Sequence, residues 1–348
     1  MVDESAHKIA GSASDAKARA KADQLSRKNA ATILKPSEVR GEYDANRLLM
    51  TTLGGEKRVM THEDLAAFRR NASIAGKAFV GGITARQVID QSLTVDRERA
   101  RREIRWAMPA YAGQSKRGNL LVQFNTDASK KNGASRHYVQ VEFLGYQTAL
   151  VSGADAPAKA ARTMSKGKIR FDCDCGRHTY WYRYISTVGN FNSGRAETGY
   201  PKIRNPNMVG VGCKHVLRVM AEIEGSVFTM QFLARQITAA RLKGEKARTK
   251  TSQKDADKQI DSQSKRSTNR LDSREERDLH RSRLALRKTS QAARKNMPKP
   301  KVVAGGSRKI GQLGRIGLES KTTETMLLQI IQGLGITREQ AISMLTKK

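Results

Sequence analysis

The side chains best suited to metal chemistry in this 348-residue chain are three cysteines, and they fall in two short stretches. The first reads Phe171-Asp172-Cys173-Asp174-Cys175-Gly176-Arg177-His178, the second Gly212-Cys213-Lys214-His215-Val216-Leu217. A C-x-C pair and a C-x-H pair are spacings suited to a single ion. On a strand, residues i and i+2 project from the same face, so both sulfurs of Cys173 and Cys175 can reach one metal. The alternating run from Lys168 to Asp172 predicts such a strand leading into Cys173. On a helix, i and i+2 diverge. Cys213 should therefore sit just ahead of a first turn and His215 on it, because Val216, Leu217, Val219, Met220 and Ile223 follow with helical spacing. Three thiolates and one imidazole close a tetrahedral zinc shell with no open position, the structural form of such a site. His178 lies within reach of Cys175, so Cys173, Cys175, His178 and Cys213 form a rival set. The bland alternative is three cysteines buried near a histidine by chance. A disulfide framework fits poorly with an odd count.

The elements needed to present these ligands are a strand end and a helix start. The order C-x-C, spacer, C-x-H and apolar helix resembles the SWIM-type zinc finger. That resemblance implies a Zn2+ cofactor on Cys173, Cys175, Cys213 and His215 and a role in binding DNA or proteins. It covers about 50 residues, and the spacer from Thr179 to Gly212 is longer than the pattern's, so it should contain an insertion.

Composition sets the partner class. The formal net charge is +32 and the isoelectric point is near 10.4. Residues 241–310 hold 22 basic and 8 acidic residues and no aromatic ring, a balance of +14 where the chain looks least foldable. Such a charge repels itself in isolation and calls for a polyanion, DNA ahead of RNA, or an anionic membrane surface. No apolar run reaches the roughly 18 residues of a membrane span. The start, Met1-Val2-Asp3-Glu4-Ser5, lacks the basic and apolar parts of a signal peptide. A reducing intracellular compartment, the cytoplasm, is the expected location. Fifteen of the eighteen aromatics lie between Trp106 and Phe232, which places the packed core there.

Five segments follow. Residues 1–58 read as a basic, Ala-rich arm. Residues 59–110 read as helical: one helix from His62 behind a Thr61/Asp64 cap, a second from Thr84 after the Gly81-Gly82 break, and a third over Val95–Ala107 stopped by Pro109. Residues 111–240 read as the β-rich zinc module. Strands are predicted at Asn119–Thr126 and His137–Leu144 around a basic hairpin tip containing Asn132-Gly133. A loop over 152–167 leads to the strand entering Cys173. A fourth strand is predicted at Thr179–Ser186, with Tyr180, Tyr182 and Tyr184 on one face. With Arg177 and Arg183 nearby, that strand could stack bases, or it could simply fill a core. A glycine- and asparagine-rich loop over 189–212 should expose Lys202 and Arg204, and a helix over 226–243 should end the packed part. Residues 241–310 read as an extended or marginally helical linker, whose Lys243, Lys246, Arg248, Lys250, Arg281, Arg283, Arg287 and Lys288 could contact phosphates. Residues 311–348 read as two short amphipathic helices, Thr323–Gln332 and Thr337–Leu345, that would dock onto another protein subunit.

The fold class expected is α+β: a small zinc-stabilised antiparallel module, a helical N-terminal region before it and a largely extended basic segment after it. No nucleotide loop, zinc-protease motif, nucleophile elbow or spaced carboxylate pair occurs, so neither catalysis nor a small-molecule substrate is expected. The functions left are a nucleic-acid-binding protein, a structural protein packed beside nucleic acid, and an adaptor using the SWIM-like module for protein contacts. Basic ends around a small module resemble an internal or ejected virion protein of tailed, N4-like bacteriophages.

Overall fold

The computed structural model describes residues 11–28, 33–34, 49–79, 81–128, 135–153, 155–243, 247–266 and 269–296. The chain divides into two compact units, 1–288 and 289–348, and of the second only the end of one helix is described. The expected hairpin tip and the two C-terminal amphipathic helices lie outside the described residues.

In chain order the elements begin with helix α1 (Ser12–Lys28), the short strand pair β1 (Met50–Thr51) and β2 (Arg58–Val59), and helix α2 (His62–Ala78). Next come β3 (Ile83–Thr84), α3 (Ala85–Gln91), α4 (Thr94–Glu103), β4 (Ala107–Gln114), β5 (Leu120–Asp127) and β6 (Arg136–Phe143). Helices α5 (Tyr146–Val151) and α6 (Pro157–Lys166) precede β7 (Lys168–Cys173). A π-helical turn, His178–Tyr182, then runs into α7 (Arg183–Val188). The described chain ends with α8 (Lys214–Gly225), α9 (Val227–Lys243), β8 (Thr249–Lys250), α10 (Gln253–Ser264) and α11 (Arg274–Asn296).

The architecture is α+β around a six-stranded antiparallel sheet in the order β3-β7-β6-β5-β4-β8. The β5–β6 hairpin pairs Val122 with Val141 and Phe124 with Val139, and these residues are buried on one face. Alternation then sends Gln123 and Asn125 to the opposite face. There α1 covers them. Gln123 donates to the Ser12 carbonyl and hydroxyl, and the Tyr138 hydroxyl bonds Asp15. The N-terminal segment is thus not only an arm: residues 12–28 form a helix tied to the sheet through polar side chains, which its few large apolar groups could not have announced.

Helix α8 lies at the centre of the fold. Every residue from Lys214 to Ile223 is buried, as expected for a helix enclosed by neighbours on all sides. It packs against the sheet, α3, α4 and α9. The cap foreseen on α2 is present, and α3 carries a second one. Thr61 accepts from the Asp64 amide while the Asp64 carboxylate accepts from Thr61, and Thr84 and Gln87 repeat the exchange.

Several expectations are corrected. The third helix stops at Glu103, and Pro109 sits inside β4, where the register with β5 shifts between Pro109 and Tyr111. A proline is tolerated there because a bulge removes the need for its missing N–H. The segment 152–167 contains α6, with Pro157 in its first turn and Ala160, Ala161 and Met164 buried. Thr179–Ser186 is helical, not a strand. Lys202 is buried, whereas Arg204 is exposed. The packed part also runs past residue 243. Ala256 and Ile260 of α10 pack on Trp106, Met108 and Ala110, β8 pairs with β4, and the Gln263 amide bonds both N and O of Ala107. Residues 253–264 and 274–296 are helical, so beyond β8 the described part of the basic segment is mostly helical rather than extended.

Candidate metal centre

Strand β7 alternates Ile169, Phe171 and Cys173 into the interior, which brings the Cys173 sulfur inward at the strand's last residue. After Asp174 the chain turns, and Cys175 follows two residues on. Cys213 is the N-cap of α8 with extended backbone (φ −78, ψ 168), and His215 lies in the first turn. The two pairs converge: the ligand atoms of Cys173, Cys175, Cys213 and His215 all lie within 4.8 Å of one another, and all four residues are buried. Metal–sulfur bonds of 2.3 Å in a tetrahedron put the sulfurs about 3.8 Å apart, so at most about 1 Å of contraction would seat an ion.

The donor set fits a metal on a second ground. Both ring nitrogens of His215 are buried without a hydrogen-bond partner. A buried imidazole left unpaired is costly, and a metal bond would satisfy one nitrogen. Burial also holds His215 below its usual pKa, in the neutral form that ligates. The thiols are pushed in opposite directions. Burial, reinforced by the two neighbouring cysteines, raises Cys173 well above the usual thiol range. Burial works the same way on Cys213, but hydrogen bonds from Cys173 and Cys175 and from the Val216 and His215 amides at the helix start outweigh it and hold Cys213 well below that range. The group can hold a metal ion.

His178 does not join it. Asp172 precedes Cys173 on β7 and so points to the other face, and His178 Nε2 lies 3.1 Å from its carboxylate. Sequence reasoning missed the supports of the C-x-C turn. Asp174, between the two cysteines, accepts from the Tyr138 amide (3.0 Å), meets His137 Nδ1 at 2.8 Å and receives Arg19 from α1 at 2.9 Å. Despite burial, these contacts keep its pKa below the ordinary carboxylate value, and Asp174 in turn raises that of His137 against the desolvation that would lower it. The only hint in sequence was an acid placed between two cysteines.

No family model, curated protein or solved structure matches the chain. Among the described residues, no helix is long and apolar enough to cross a membrane.

The expected phosphate contacts divide. Arg177 pairs with the fully buried Asp96 at 2.7 Å and lies 3.9 Å over the Trp181 ring. Arg183 is buried between Asp23 (2.5 Å) and Asp172 (3.0 Å). Both arginines are engaged in the interior. The tyrosines share no platform: Tyr182 is buried with its hydroxyl on Asp96, Tyr184 meets Tyr200 edge-on at 5.1 Å, and Tyr180 is half-buried. Lys243, Arg248, Lys250, Arg281, Arg283, Arg287 and Lys288 are exposed. Of these, Lys250 lies 5.6 Å from the Tyr111 ring and Arg281 pairs with Asp278. Lys246 lies outside the described residues.

Proposed function

We propose that this chain is a non-enzymatic, zinc-stabilised protein that binds nucleic acid, DNA ahead of RNA, through phosphate contacts with little base preference. Zinc is the metal suited to a buried Cys3His set, because soft thiolates and a closed tetrahedron favour it over the hard cations. The observation that carries the nucleic-acid reading is the exposed basic run Arg281, Arg283, Arg287 and Lys288 on α11, in a chain of net charge +32. A helix presenting basic groups with no stacking rings beside them supplies phosphate contacts without base readout. In this reading the metal cluster fixes the fold, while the basic surface meets the polyanion. A role as a structural or ejected virion component that packs against DNA rests on the layout of basic segments around a small zinc-bound module.

The test is the salt dependence of binding to a fluorescent 20-base-pair duplex. If about 6–10 phosphates are neutralised, affinity falls roughly 10³–10⁵-fold between 50 and 200 mM salt. Replacing Arg281, Arg283, Arg287 and Lys288 together by Gln should lower the log–log slope by about 3 to 4. A slope near zero in the parent protein, or one unchanged in the variant, contradicts the reading.

A further inference from the structure

A second site stands apart from the cysteine cluster. Helices α8, α9 and α10 and the start of α11 enclose a cleft of about 690 Å³. Four arginines line it: Arg218 from α8, Arg266 and Arg270 from the turn after α10, and Arg277 from α11. Among the described residues Glu222 is the one carboxylate on its wall. Arg218 is built into the floor. It is 3% exposed, one guanidinium nitrogen donates to the Arg105 carbonyl at 3.1 Å, and Nε is buried with no partner. Its only ion pair among the described residues is with Glu222, one turn on, at 3.4 Å.

The charge in this cleft is unbalanced. Leaving Arg270 aside, the guanidiniums of Arg218, Arg266 and Arg277 face a single carboxylate among the described residues, and burial raises the pKa of that carboxylate. Burial, with Arg270 adding to it, also pulls the Arg218 pKa down against the attraction of Glu222, so the site gains by taking in negative charge. Guanidinium forks match the oxygens of a phosphate bidentately. The rest of the wall supplies what an attached nucleoside needs: the half-buried Phe228 ring as an apolar face, and the amide of Gln231 as donor and acceptor. The volume lies within the roughly 300–1,000 Å³ of small-molecule sites.

We propose that this cleft binds a phosphate monoester carried on a nucleoside, either the terminal phosphate of a nucleic-acid strand or a free nucleotide. A monoester dianion matches the surplus of guanidiniums better than the single charge of a backbone diester. The strand-end form rests on the nucleic-acid reading above; the free-nucleotide form does not.

The experiment uses the full chain and three probes: a ten-base oligo(dT) with a 5′-phosphate, the same strand with a 5′-hydroxyl, and adenosine 5′-monophosphate measured by calorimetry. If the site takes strand ends, the phosphorylated strand binds at least tenfold tighter than the hydroxyl strand. If it takes free nucleotides, the monophosphate binds with one-to-one stoichiometry. Arg266→Gln with Arg277→Gln abolishes either signal, and Glu222→Gln strengthens it, which a purely structural role for Glu222 would not produce. The α11 variant at residues 281, 283, 287 and 288 weakens both strands alike and keeps their ratio. Loss of all strand binding with retained nucleotide binding would remove the nucleic-acid reading and leave the cleft. Equal binding of the two strands, together with no heat from the monophosphate, overturns the cleft proposal even when both strands bind well.

Discussion

The rings of His137 and His215 lie with their centroids 4.2 Å apart, and His137 holds Asp174, the residue between the two cysteines of the C-x-C turn. One ring therefore connects the candidate ligand on α8 to the turn that joins Cys173 at the end of β7 to Cys175 beyond it. Metal-binding side chains are commonly oriented by such outer partners, whose loss costs about 10–100-fold in affinity.

Asp174→Asn tests this support. The variant keeps a side chain of the same shape but loses its charge toward His137 and Arg19. Metal affinity, measured by competition with a chromogenic chelator, should drop about 10–100-fold with the fold retained. Unchanged affinity would make Asp174 a bystander.

The fourth ligand can be assigned by a pair of substitutions. His215→Ala should lose stoichiometric metal, whereas His178→Ala should keep it while losing the contacts with Asp172 and the Phe171 ring. The reverse outcome, read from metal content after dialysis, would reinstate His178.

Ile260→Ala probes whether the basic segment belongs to the fold. Ile260 is 4% exposed against Trp106 and Met108, so truncation should destabilise by about 2–4 kcal/mol in a denaturant titration. A change under about 0.5 kcal/mol would return residues 253–264 to the status of a linker.

Acid should loosen the start of α8. Glu103 bonds Arg99 and Lys214, the residue after Cys213, and the Arg99 contact foremost, with Lys214 behind it, lowers its pKa from 4.5 to about 2. A carboxylate depressed in the folded state contributes stability that is fully present above about 4.5 and is lost as pH falls toward 2. Because Glu103 is about one-third exposed, solvent screening reduces the effect to about 1 kcal/mol. Glu103→Gln should flatten the stability–pH curve between pH 5 and about 2; an identical curve would contradict the assignment.

The ligands were legible because cysteine spacing reports geometry directly: i, i+2 on a strand end, and a cap followed by an apolar helix. The same holds for β5, β6 and β7, which form where strands are expected, with alternating burial in β7. It fails where a segment is buried all round. Tyr182, Arg183, Tyr184, Ile185 and Ser186 are all buried, so no polar face marked the helical period and the tyrosines at every second position imitated a strand. The docking of α10 was hidden for another reason. Gln263 on Ala107 and Thr251 on the Pro109 carbonyl hold it to β4 by polar bonds that a reading of hydropathy and aromatic content does not register.

A single structural zinc on Cys173, Cys175, Cys213 and His215 is the proposal that native mass spectrometry with elemental analysis of the purified chain decides. One zinc per chain is expected, lost in Cys213→Ser together with the cooperative unfolding transition of the sheet and α8, since structural zinc in small modules is worth on the order of 10 kcal/mol. A metal-free protein whose near-UV spectrum and unfolding midpoint do not respond to added zinc or to chelator would contradict it.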